Sequence, residues 1–205
     1  MLAWPPEPEA WSLRWYRNMI GDCSAEVVSS TVPCSTKWMK GTVNSFYIGI
    51  IATFIATVLG TMAALGLSRP HMPYKALIMS ILISPMIVPL IITAAGMFFF
   101  YARINLVYTF TGVILAHVAL ATPFVVITVT ATLVGFDMNM VKAAQSLGAK
   151  PMRTFFKVIM PLILPGIISG ALFAFITSFD EVVIVMFMAS IDQLTIPKQM
   201  WAGIR

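Results

Sequence analysis

The sequence predicts an all-α, polytopic transmembrane helical bundle, and three observations carry that prediction. Only 10% of the residues are charged, while 59% are apolar and the mean hydropathy is +0.90. A soluble domain keeps about a quarter of its residues charged, so this composition excludes one. Four long apolar stretches are separated by short loops. Within the first of them small residues recur at near-helical spacing, the pattern that lets helices approach closely in lipid.

That first stretch, 43–67 (VNSFYIGIIATFIATVLGTMAALGL), holds no charge. At 1.5 Å per residue it exceeds the roughly 30 Å thickness of the hydrocarbon layer. Gly49, Ala52, Ala56, Gly60 and Ala64 mark the face expected to meet another helix. The loop SRPHMPYK leads to a second span, 76–101, broken by Pro85 and Pro89. These prolines free backbone carbonyls that a neighbouring helix or a water-filled path must satisfy. The kink therefore either borders a translocation path or is fixed by packing. After the connection ARIN, a third span, 106–134, carries His117 and Pro123. A lone intramembrane histidine is either a proton or ligand group or one half of an interhelical hydrogen bond.

The fourth span starts at Pro161 or Pro165 and ends near 189, with Asp180 and Glu181 in the run FITSFDEVVIVMF. A carboxylate facing lipid costs several kcal/mol, so both acids must face protein or water. Asp180 lies about 22 Å beyond Pro165 along a helix, in the outer half of the membrane.

Residues 1–41 form a polar segment, read as periplasmic or interfacial, and 42–205 form the transmembrane domain. The head begins MLAWPPEPEAWSLRWYRNM and lacks a basic region followed by an apolar core, so it is neither a signal peptide nor a span. Cys23 and Cys34 are the only cysteines; they permit a disulfide in an oxidising compartment and are otherwise two free thiols. Loops 68–75 and 135–157 carry Arg69, Lys75, Lys142, Lys150, Arg153 and Lys157, a density that places them on the cytoplasmic side. The net charge of +5 is scattered through short loops with no basic stripe, which argues for lipid head groups and against nucleic acid.

The stretch 137–165 (DMNMVKAAQSLGAKPMRTFFKVIMPLILP) is the polar interruption between spans. Asp137 is a good N-cap, nothing from Met138 to Leu147 breaks a helix, and Gly148 stands where a left-handed terminating residue is wanted. The resulting short helix is amphipathic, with Met140, Ala144 and Leu147 on one face and Asn139, Lys142 and Ser146 on the other. Ala143 and Ala144 together offer a flat patch to a partner, and Pro151 is placed to start the next helix.

Ala143, Ala144, Gly148 and Pro161 fall on the spacing of the EAA loop, so the chain resembles the permease subunits of binding-protein-dependent ABC importers. The resemblance runs from Thr42 to Arg205 and implies a MetI-like, type I importer fold. GFDMNMVKAAQSLGA, SFDEVVIVMF and LTIPKQMW resemble the spermidine/putrescine branch in particular. It implies that Lys142, Ala143, Ala144, Leu147, Gly148 and Pro161 couple the chain to a cytoplasmic ATP-binding subunit. It also implies a second permease subunit, a periplasmic solute-binding protein, and no cofactor in this chain, since ATP is bound elsewhere. Lys142 departs from the family, which has Glu there. The family's plan has a further span before such a head and another after such a tail, and this sequence contains neither.

No nucleophile with a base, no phosphate loop and no metal-ligand set is present, so the sequence is read as a non-enzyme without a metal site. Asp180, Glu181 and His117 are the candidates for the solute path, and the acids suit a polyamine; the alternative for them is a contact with the partner permease. Other readings are a permease for iron, thiamine or phosphonate, a secondary transporter or channel, or a truncated inactive remnant.

Overall fold

The computed structural model describes residues 36–69, 71–135, 137 and 139–203, together with Arg17 and Ile20. Cys23 and Cys34 lie outside the described residues. Among these residues every regular element is helical.

Helix α1 (Lys37–Leu67) begins six residues before the apolar stretch, because Lys37 and Lys40 end the hydropathy signal without ending the helix. The boundary expected at 41/42 thus falls inside it. All five small residues read from its sequence are buried. Helix α4 (Phe110–Val134) starts later than expected, at Thr109, whose Oγ1 accepts the Gly112 N–H at 3.0 Å. The long helix α6 (Pro151–Phe179) opens with Pro151 in its first turn and begins ten residues before the expected span. Its turn at Phe155–Ile159 is a π-helix. Pro161 follows after Met160; in a regular helix its ring would clash with the Lys157 carbonyl, and the wider turn relieves that clash.

Contacts along α1, α4 and α6 fix their directions. The Tyr47 and Phe110 rings lie 5.6 Å apart, and a Cβ on Gly60 would lie 2.7 Å from that of Val125, so α1 and α4 run parallel. Phe46 meets Phe179 at 5.3 Å, while Gly166 and Gly170 press on Thr132 and Thr128, so α6 runs antiparallel to both. Glycine at these crossings lets backbones approach to a distance any side chain would prevent.

Because α1 and α4 are parallel, the chain between them must return from one end of the bundle to the other. Helices α2 (Lys75–Ile87) and α3 (Leu90–Arg103) make that return as one broken span, bent by 104° at Val88–Pro89. Pro89 drives Val88 into an extended conformation, ψ 134°, which ends α2. Among the described residues three helices are long and apolar enough to cross a membrane, four spans if the bent pair counts as one, and the last does not continue to 189. Helix α6 stops at Phe179, and Asp180–Val182 are non-helical before the short α7 (Val183–Met188).

The described residues of loops 68–74 and 135–150 lie at one end of the bundle. The other end gathers the start of α1, the start of α4 and the 189–196 segment. There Asn44 Nδ2 donates to the Asp192 and Leu194 carbonyls, Ser45 Oγ accepts the Ile196 N–H, and Gln193 Nε2 donates to the Tyr108 carbonyl.

Candidate functional site

The two helix breaks face each other. A cleft of about 390 Å³ is lined by the α2–α3 break (Pro85–Leu90), by Leu120 and Phe124 of α4, and by Thr177 and Glu181. An adjoining one of about 480 Å³ is lined by Leu90, Ile176, Thr177, Asp180, Glu181, Val182 and Val183. The prolines thus border a cleft. Among the described residues no basic side chain lines either cleft.

The two acids differ sharply in setting. Asp180 caps the end of α6 and is exposed, whereas Glu181 is 7% exposed. Glu181 Oε1 accepts the Ile184 N–H at 2.9 Å, so the carboxylate sits on the N-terminal turn of α7. At the opposite end of α7, Lys198 Nζ, from helix α8 (Ile196–Gly203), donates to the carbonyls of Val185 and Ala189 at 3.0 and 3.3 Å. An acid at the N-terminus and a base at the C-terminus both oppose the helix dipole, and together they hold a helix of six residues that would not form alone. Burial lowers the pKa of the Lys198 ammonium. Sequence reasoning gave Lys198 no role; its only sequence signal was its place in LTIPKQMW.

His117 lines neither cleft. It is buried between α4 and α6 with Nδ1 2.7 Å from Ser178 Oγ, the interhelical hydrogen bond that was one of its two readings. Its Nε2 has no partner among the described residues.

At the far end stands helix α5 (Asn139–Ser146). Asp137 Oδ1 accepts the Asn139 N–H at 2.9 Å and the Asp137 carbonyl accepts that of Met140 at 3.1 Å, which starts the helix. Gly148 has φ 78°, and the Gly148 and Ala149 amides donate to the carbonyls of Gln145 and Ala144. This paired closure needs a left-handed residue, which glycine adopts without strain. The buried side of α5 is centred on Val141, with Ala144 half-buried at its border. Met140, Ala143 and Leu147 form the exposed apolar stripe, Leu147 being 88% exposed, while Lys142 points to solvent on another face. The apolar face read from the sequence is therefore split: Ala144 leans on its own chain and Met140 and Leu147 stand free of it. Pro161 lies beyond the wide turn of α6 and is exposed.

Four crossings, an acid-lined cleft between broken helices and an exposed amphipathic helix at one end define a multi-pass helical membrane protein of the transport class. The chain belongs to the family of binding-protein-dependent transport system inner membrane components, which it matches over residues 56–203. This is a family of transport components and not of enzymes. The chain is 29% identical to the spermidine/putrescine transport system permease protein PotC of Haemophilus influenzae, over 82% of this chain and 65% of that protein. It is 29% identical to the putrescine transport system permease protein PotI of Escherichia coli, over 95% of this chain and 67% of the relative. With the trehalose transport system permease protein SugB of Mycobacterium tuberculosis it shares 33% identity, over 70% of this chain and 53% of that one. The chain thus spans about two thirds or less of the length of these curated relatives.

Proposed function

We propose that this chain is a translocating subunit of an ABC importer that carries a polyamine such as putrescine or spermidine across the inner membrane. In this reading ATP is bound and hydrolysed by a separate cytoplasmic subunit. A second permease subunit completes the path, and a periplasmic solute-binding protein delivers the solute. The single observation that carries the substrate reading is a buried carboxyl, Glu181, in an apolar cleft with no basic residue in its wall among the described residues. An alkylammonium offers what such a cleft lacks, a cation on an apolar chain. A phosphonate would be repelled there, and a neutral sugar gives the acid no role. The relatives named for spermidine and putrescine support the same class.

Coupling falls to α5. Its exposed stripe of Met140, Ala143 and Leu147 is the surface offered to the ATP-binding subunit, and Gly148 fixes the turn that presents it. The cations of the two loops at that end support a cytoplasmic position for it in this reading, with the Asp180–Glu181 end periplasmic. Lys142 requires an acid on its partner where the family's Glu meets a base; without one, coupling is weaker.

The test is uptake of labelled putrescine and spermidine by the full complex in liposomes, with Asp180→Asn and Glu181→Gln. The proposal expects saturable uptake by the unmodified complex and a loss of at least tenfold in Glu181→Gln, about the effect of one charge-assisted contact. Normal uptake in an assembled double variant would remove the acids from the path. A complex that takes up neither amine would overturn the substrate class.

A further inference from the structure

The geometry points to His117 as a positioning residue, which holds the end of α6 in the rotation that aims Glu181 at the cleft without itself meeting the solute. The inference rests on the reading that Glu181 borders the solute path. His117 is 1% exposed, and its ring meets Ser178 Oγ at 2.7 Å across the α4–α6 contact. Ser178 is the penultimate residue of α6, so this is the last tie before the helix breaks. Further down, α4 and α6 touch through glycine on threonine and through the stacked rings of Phe124 and Phe173, which set their separation. The polar tie sets the rotation of the final turn. Neighbouring residues on a helix point about 100° apart. With Ser178 held against α4, Thr177 is turned into the cleft, and Glu181, four residues beyond Thr177 and just past the end of the helix, lies in the same wall.

Two features argue that the ring is kept for this tie. In an apolar interior neither partner has water to exchange with, so the hydrogen bond persists. Nε2 is buried with no partner among the described residues, a cost that an aliphatic side chain of similar volume would not carry.

The experiment compares His117→Leu, His117→Asn and Ser178→Ala in the full reconstituted complex, each alone and combined with Glu181→Gln. Putrescine uptake and ATP hydrolysis stimulated by loaded binding protein are measured together. Loss of the tie is expected to lower uptake per ATP hydrolysed about fivefold, the effect of one hydrogen bond. His117→Asn, with an amide where Nδ1 lies, restores it, and neither variant adds to the loss already caused by Glu181→Gln. A second readout needs no transport: the rate at which a hydrophobic carbodiimide modifies Glu181 should shift in His117→Leu and Ser178→Ala and return in His117→Asn. Unchanged uptake per ATP, an unchanged carbodiimide rate, or losses that add to that of Glu181→Gln would each overturn the inference. If Glu181→Gln alone leaves uptake unchanged, the proposed path falls and the inference with it.

Discussion

Helices α1 and α6 bury stripes rich in small residues and α4 buries twelve of its residues, whereas α2 buries none of its 13 residues and α3 only Ala94. The first three meet where glycines of α1 and α6 press on Val125, Thr128 and Thr132 of α4 and Phe175 of α6, a packing that tolerates little added volume. The broken span leans on α4 and α7 and leaves its proline corner over the cleft. The contrast separates a rigid frame from a looser wall. In lipid there is little hydrophobic drive to close the wall, so only close packing and buried polar ties decide what is fixed.

Substitutions can sharpen or break this contrast. The largest effect is expected from Gly60→Leu, because Val125 already stands 2.7 Å from where a Cβ would be. It should cost about 3 kcal/mol or more and remove most monodisperse protein after mild heating in detergent. A tolerated leucine would mean that α1 and α4 are not in contact. Gly148→Val comes next, at about 1–2 kcal/mol for a left-handed backbone at φ 78°, confined to α5. It should leave the melting temperature of the bundle near that of the parent while uptake and stimulated ATP hydrolysis fall together.

Lys198→Met should be milder, since it removes only the donor to the Val185 and Ala189 carbonyls. Amide exchange in α7 should quicken about fivefold, with α1 and α4 unaffected. The smallest effect belongs to Ile81→Ala on the exposed face of α2, within about 0.5 kcal/mol in the isolated chain. A large loss confined to the assembled complex would show that this face is covered there.

Much of the frame was legible because its signals are local. The stripe Gly49, Ala52, Ala56, Gly60 and Ala64 gave the buried face of α1, and Asp137 with Gly148 gave both ends of α5. Pro89 gave the break in the second span because proline acts on the residue before it. The second break was not legible: FDEVV holds no proline or glycine, and it forms where Glu181 gives its carboxylate to the Ile184 amide instead of continuing the helix. Nor was the role of Lys198, whose partners are backbone carbonyls on another helix and leave no trace in side-chain pattern. The face of α5 was half right, since Val141 turns inward only because the start of α6 lies beneath it.

The most direct test of the central claim, that solute passes the cleft between the two breaks, is thiol labelling during transport. With Cys23 and Cys34 replaced by serine, Thr177→Cys in the cleft wall and Phe54→Cys on the 69% exposed outer face of α1 are each assembled into the full complex. A small, charged, membrane-impermeant thiol reagent should modify Thr177→Cys during turnover, excess putrescine should slow that reaction, and Phe54→Cys should remain unmodified in lipid. An unreactive Thr177→Cys, or one whose reaction putrescine does not slow, would contradict the account.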